Sequence, residues 1–153
     1  DKNKYISTSN GQNIIITVPF ENINQVSLTG SGDISTKNTI ITDSFSAKLN
    51  GSGDLKLHVE AKELEVELNG SGDIVVIGKT DSLTSALNGS GDIEAGEMKS
   101  KNARVTVTGS GDNSVFCSEN IYARVSGSGE IKYSGNPENK DTKVNGYGEI
   151  TKS

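Results

Sequence analysis

A four-residue phrase, Gly-Ser-Gly-Asp or a near variant, returns along this chain and limits its folds more than any other feature. It stands at Gly30-Ser31-Gly32-Asp33, Gly51 to Asp54, Gly70 to Asp73, Gly89 to Asp92, Gly109 to Asp112, Gly127-Ser128-Gly129-Glu130 and Gly146-Tyr147-Gly148-Glu149. The first glycines lie 18 to 21 residues apart. One supersecondary unit of about nineteen residues is therefore stacked repeatedly.

Within each unit, apolar and polar residues alternate up to the glycines, as Leu64, Val66 and Leu68 do against Glu65, Glu67 and Asn69. Period-two alternation means a strand with one buried face. The register recurs in Phe45/Ala47/Leu49, Leu83/Ser85/Leu87, Ala103/Val105/Val107 and Ile121/Ala123/Val125. After each acidic residue a second inward set begins with Ile34, Leu55, Ile74, Ile93, Ile131 or Ile150, followed by Leu57, Val76, Ala95, Val115 or Tyr133. Stretches such as Val59 to Glu63 and Gly78 to Ser82 absorb the changes of length, as loops do.

Two strands and a looser third side per unit describe one coil of a parallel β-solenoid, since a propeller blade needs about forty residues. One corner of that coil requires positive φ or close backbone approach at two positions, which glycine allows. The Asn-Gly pairs at Asn50, Asn69, Asn88 and Asn145 would elsewhere mark hairpins. Thr29, Thr108 and Ser126 take the same place, so a stacked polar ladder is expected instead. About seven coils at ~4.8 Å spacing give a rod of roughly 30 to 35 Å.

The expected organisation is one all-β solenoid domain over residues 1–153, with an irregular segment at 1–13, main coils at 14–135 and a C-terminal cap coil at 136–153. In the cap, Asn136-Pro137-Glu138-Asn139-Lys140 interrupts pairing on one side and charged Lys152 closes the last coil. At the other end a strand with Ile14, Ile16 and Val18, ending near Pro19, is all that covers the first coil. Its open edge is a pairing surface, and a homodimer through the N-terminal coil is expected.

A hydrophobic fraction of 31% would suit a disordered chain, but the apolar residues fall in phase and a narrow solenoid needs only a thin core. The net charge of -5, with seven aromatics and no tryptophan, offers neither phosphate contacts nor base stacking, so nucleic acid is not an expected partner. No apolar run approaches the ~18 residues of a membrane span. The chain begins at Asp1 without a methionine or signal segment, so trimming after processing is expected.

The single cysteine, Cys117, excludes an internal disulfide and reads as a packed thiol. His58 and Cys117 are the only soft ligands and lie three coils, or ~14 Å, apart. Neither a zinc site nor a nucleophile and base pair can be built from them. No catalytic, cofactor-binding or metal-binding residue is assigned, and ligand-binding residues are not identifiable.

The acidic column of Asp33, Asp54, Asp73, Asp92, Asp112, Glu130 and Glu149 is the chemically interesting feature. Carboxylates stacked ~5 Å apart repel by ~0.8 kcal/mol in water. Hydrogen bonds from turn N–H groups or the adjacent serines are the expected offset. A row of calcium ions is the alternative, through likeness to the Gly-Gly-x-Gly-x-Asp nonapeptide of calcium-binding β-rolls, although here one acidic loop serves each unit. A polysaccharide lyase or glycosidase needs two carboxylates in unlike environments, and identical residues on every coil are the opposite. The breaks in the pattern, Asn113, Val75, Tyr147, Glu130 and Glu149, converge on no single cleft. The Asn-x-Ser matches at Asn50, Asn69 and Asn88 are by-products of the corner. Lys48 and Glu67 occupy equivalent outward positions as an attractive pair.

The repeated Gly-Ser-Gly-Asp-Ile corners, the approach from Ile14 to Pro19 with Leu28-Thr29-Gly30-Ser31-Gly32-Asp33, and the run from Val125 to Pro137 together resemble the putative auto-transporter adhesin, head GIN domain family. The resemblance implies a right-handed parallel β-helix of Bacteroidetes type, exported to the periplasm, outer membrane surface or beyond. It also implies further N-terminal strands, which are not evident before Ile14, and it supplies no catalytic or binding residue. The resulting expectation is a non-enzymatic exported module for surface structure or adhesion, whose flat repetitive faces suit glycans or other extracellular polymers. A carbohydrate-active β-helix enzyme, a calcium-stabilised module and a self-assembling scaffold are the alternatives.

Overall fold

Every strand pairing among the described residues is parallel and joins positions one coil apart. The structure is a computed structural model that describes residues 4–9, 13–16, 23–36 and 39–152, with side-chain surroundings from residue 25 onward. Its strands are β1 (Lys4–Ser9), β2 (Asn13–Ile16), β3 (Ile23–Gly30), β4 (Asp33–Thr36), β5 (Ile40–Gly51), β6 (Asp54–Gly70), β7 (Asp73–Gly89), β8 (Asp92–Gly109), β9 (Asp112–Gly127), β10 (Glu130–Ser134), β11 (Asn139–Gly146) and β12 (Glu149–Lys152). They form one sheet in the order β1-β3-β5-β6-β7-β8-β9-β10-β12, with β2 on β4, β4 also on β6, and β11 on β9. The result is the expected parallel solenoid of about seven turns.

Strands β6 to β9 are long because each follows the coil round its second bend while keeping its ladder. Ala61 pairs with Thr80 and Glu63 with Ser82 on either side of Lys62. The inward residues stack as the alternation predicts. Leu28, Leu49, Leu68, Leu87, Val107 and Val125 are level with one another on successive coils and all are buried. Burying each such side chain contributes ~1.5–3 kcal/mol.

The two glycines of a corner do different work. Gly70 has φ +132°, a conformation that a side chain strains. A Cβ on Gly72 would instead sit 1.9 Å from the carbonyl oxygen of Gly53 one coil below, so this position is closed by contact. The approach is tight because Ser71 and Gly72 both donate their N–H to the Gly51 oxygen, at 2.9 and 3.1 Å, and Asp73 donates to Gly53 at 3.2 Å.

Beside the corner the expected polar ladder is present. Asn69 Nδ2 donates to Asn50 Oδ1 and Asn88 Nδ2 to Asn69 Oδ1, each at 3.0 Å. These amides support stacked turns, and among the described residues no Asn-Gly pair makes a hairpin. Lys48 and Glu67 stand in register, but the Glu67 carboxylate accepts Asn69 Nδ2 at 2.7 Å.

The ends differ from expectation. Within 1–13, which the sequence read as irregular, Lys4–Ser9 is a strand that pairs in parallel with β3. One strand therefore precedes the Ile14 strand, where none was evident in the sequence. The segment carries a single aliphatic residue, Ile6, so its alternation is faint. The β2 strand covers β4 from Asn13 to Ile16, while Val18 and Pro19 lie outside the described residues. Among the described residues β1 and β2 are thus the outermost strands at this end.

At the C-terminus the interruption is shorter than the stretch from Asn136 to Lys140. Glu138 already donates its N–H to the Glu119 oxygen at 2.8 Å, and pairing resumes with Asn139 beside Asn120. Lys140, Thr142 and Val144 take the levels of Ile121, Ala123 and Val125, and all three are exposed. Lys152 takes the level of Tyr133 and donates to Asn136 Oδ1 at 2.6 Å. Charged residues at core-facing levels oppose further stacking.

Gly91 would place a Cβ 1.9 Å from the Gly72 oxygen, whereas Gly96 has nothing within 4 Å. In urea titrations Gly91→Ala is expected to lose at least ~3 kcal/mol of stability and Gly96→Ala to change it by less than ~0.5 kcal/mol.

Candidate functional site

The acidic column is in register from Asp33 through Asp54 and Asp73 to Asp92, and again from Asp112 through Glu130 to Glu149. Three of its carboxylates, those of Asp73, Asp92 and Asp112, are engaged by the backbone. Asp73 Oδ1 accepts the Asp92 N–H at 3.3 Å, Asp92 Oδ1 accepts that of Asp112 at 3.1 Å, and Asp112 Oδ1 accepts that of Glu130 at 3.1 Å. The donor comes from the next coil rather than from the residue's own turn, which corrects the local bonding expected from sequence. A hydrogen bond to a charged acceptor contributes ~1.5–3 kcal/mol, more than the ~0.8 kcal/mol of repulsion between neighbours in water. Among the described residues no three histidine, cysteine or carboxylate side chains cluster in the manner of a metal site.

Of the breaks in the pattern, Asn113 and Glu130 do border one shallow depression of ≈ 140 Å³ with Asp92 and Asp112. The Asn113 side chain, however, turns inward, is fully buried and donates to Ser85 Oγ at 2.7 Å. Its Oδ1 has no partner, so the amide is half satisfied. Val75 is half-buried, and Tyr147 is 96% exposed on the last coil.

His58 is half-buried and its N–H donates to Thr36 Oγ1 at 2.9 Å. It stands on β6, three ladder spacings from β9 and Cys117. The Cys117 thiol is buried, with Sγ 2.6 Å from the Asn120 oxygen and 3.1 Å from the Lys101 oxygen. Burial raises its pKa above the usual thiol value, which keeps it protonated and unreactive at neutral pH.

A further collection of polar groups lies on the outer side of the coils just after the second bend. A groove of ≈ 540 Å³ crosses four coils there, from Ser82 to Asp141. One wall is a second amide ladder, in which Asn120 Nδ2 donates to Asn102 Oδ1 at 2.5 Å and Asn139 Nδ2 to Asn120 Oδ1 at 2.6 Å. The other wall stacks Thr84, Arg104, Tyr122 and Asp141 in register. The Arg104 guanidinium lies 4.4 Å from the Tyr122 ring centre and that of Arg124 lies 3.8 Å from it. Arg124 also donates to both the carboxylate and the backbone oxygen of Asp141, at 2.9 and 3.0 Å.

Sequence reasoning missed this groove. Asn102, Asn120 and Asn139 are spaced by 18 and 19 residues, the interval of the corners, and that spacing was the available signal. A second groove of ≈ 490 Å³ runs along the bend beside Ile41, which is 67% exposed. Lys99 Nζ there lies 4.2 Å from the Phe116 ring centre. Among the described residues no helix is long and apolar enough to cross a membrane.

A search of the curated proteins gives no match. Among solved structures, a putative adhesin from Bacteroides fragilis superposes with TM-score 0.87 at 23% identity, over 100% of this chain and 94% of that one. A putative lipid binding protein from Parabacteroides distasonis gives TM-score 0.85 at 27% identity, over 98% of this chain and 61% of its own. A putative adhesin from the same organism gives 0.87 at 23%, over 97% and 63%. This chain thus spans less than two thirds of either Parabacteroides chain, and the likenesses at 23% show the fold alone. The sequence model of the family described as putative auto-transporter adhesin, head GIN domain, matches residues 2–137.

The engaged carboxylates make the column's chemistry measurable. Asp92→Ala is expected to lose ~1 kcal/mol in urea titrations, because the Asp112 N–H loses its acceptor. Asp92→Asn keeps an acceptor oxygen and removes like-charge repulsion, so its stability is expected to equal or exceed that of the parent.

Proposed function

The chain belongs to the putative auto-transporter adhesin, head GIN domain family, and on that premise we propose that it is an exported binding module, not an enzyme, that holds an extended polymer along its side. The supporting observation is the groove from Ser82 to Asp141, which crosses four coils and carries outward polar side chains on each. A polymer lying across the strands would meet a fresh set of groups every ~4.8 Å. Catalysis asks for one privileged pair of groups, whereas the carboxylates of the corner repeat coil after coil, and those of Asp73, Asp92 and Asp112 are tied to backbone N–H groups. Export to the cell surface follows from the same family reading, since an adhesin acts outside the cell.

A second reading rests on the Parabacteroides relative described as lipid binding and on the groove with exposed Ile41 and with Lys99 over Phe116. An apolar side chain beside lysines suits an anionic lipid surface. One experiment separates the two. On an array of glycans and extracellular-matrix polymers, with anionic vesicles as a further arm, the parent protein is expected to retain a glycan that Asn120→Ala/Tyr122→Ala releases and Lys99→Gln does not. Retention by vesicles that only Lys99→Gln abolishes would favour the lipid reading, and absence of any polymer binding would sink the first.

A further inference from the structure

We infer that the groove between Asn102 and Tyr122 selects an acidic polysaccharide, one whose chain carries carboxylate or sulfate groups, with Arg104 as the residue that recognises the anion. The inference deepens the polymer-binding reading and rests on it.

Its basis is a count of hydrogen-bonding character. Asn120 and Asn139 each use one N–H on the preceding amide and Asn102 uses one on the Asp81 oxygen at 3.4 Å, so each retains a second and the ladder wall offers donors. On the facing wall the two arginines differ. Arg124 is consumed, with Nη1 on the Ala123 and Asp141 oxygens and Nη2 on the Asp141 carboxylate. Arg104 is exposed, and among the described residues it makes no ion pair, unlike the lysines and Arg124 that do. Its guanidinium lies over the Tyr122 ring, 4.4 Å from the ring centre, and among the described residues its N–H groups make no hydrogen bond to the protein. A stacked guanidinium of this kind binds carboxylate or sulfate oxygens with little further ordering.

Lys140, level with Ile121 and exposed, adds a second cation at the end of the groove, with no ion pair among the described residues. Asp141, the acidic residue lining the groove, is neutralised by Arg124 at 2.9 Å. A donor-rich groove with surplus positive charge asks for an acceptor-rich, negatively charged ligand, and a neutral polymer would leave Arg104 unanswered.

The net charge of -5 argues in the opposite direction, and distance decides between them. From Arg104 to Thr108, which precedes the corner, are four residues of strand, or ~13 Å. The acidic column lies beyond that, outside the ~8 Å screening length of physiological salt. Glu119 and Glu138 precede the ladder asparagines in sequence, but neither lines the groove.

The test uses the intact chain with polygalacturonate, dextran sulfate and neutral dextran of matched length, by calorimetry or interferometry at two salt concentrations. Binding to polygalacturonate or dextran sulfate, weakened by salt and absent for dextran, is expected. Arg104→Gln should weaken it at least tenfold and Arg104→Lys should restore part of the loss, with thermal unfolding unchanged in both. Binding to one polyanion alone would support the inference and identify the charged group. Absence of binding to both polyanions, or an Arg104→Gln protein that binds as the parent does, would overturn it. Dextran binding that Tyr122→Ala abolishes would overturn the requirement for charge and leave the polymer reading intact.

Discussion

The structure depends on backbones meeting at the glycine corner at a separation that leaves no room for a side chain. A Cβ at Gly72 would lie 1.9 Å from the Gly53 oxygen, and Gly91 repeats that distance against Gly72. The same contact delivers two N–H groups to one carbonyl, as Ser71 and Gly72 do to Gly51. Once one corner is stacked, the strands on both sides are placed one ladder spacing from their predecessors, and the inward leucines follow into a continuous column. The repeated tetrapeptide is therefore the fastening of the solenoid, and its sameness from coil to coil reflects that the next coil must fit the last.

That constraint divides the surface into a conserved geometry and a variable chemistry. The corner sets the acidic side chains in register and gives Asp73, Asp92 and Asp112 backbone donors from the next coil, so these conspicuous residues of the sequence serve the stack. The side that begins after the second bend has no such duty. Ser44, Glu63, Ser82, Asn102, Asn120 and Asn139 occupy one level there on successive coils, and only the last three carry amides. The groove forms where the lateral residues depart from coil to coil while the backbone beneath them stays the same.

The fold was legible because two periods coincide in the sequence, alternation within a strand and recurrence of glycines between strands. Leu64, Val66 and Leu68 could be placed without coordinates, and so could the amides of Asn50, Asn69 and Asn88. The N-terminal strand was not legible, because Ile6 is the one aliphatic residue in Lys4–Ser9 and the corner consensus is missing between it and Asn13. The buried contact of Asn113 with Ser85 was also hidden. These residues are 28 apart, not one coil apart, so they meet across the interior and not along a ladder. Register identifies neighbours within a sheet, while contacts through the core depend on how opposite walls face each other. The arginine and tyrosine stack lay between these cases, since the sequence places Arg104 beside Tyr122 but does not say that the guanidinium folds over the ring.

The ladder of Asn102, Asn120 and Asn139 also acts as a ruler. Its rungs are set by the pitch of the main chain, ~4.8 Å, and no side-chain adjustment can stretch that interval by much. A guest whose own repeat has a different length slides out of step with the rungs as it extends, so good contact is confined to a few units. Tight holding of a long molecule would then come from several such solenoids gripping it at separate points, each over a short stretch, rather than from one rod matched along its whole length.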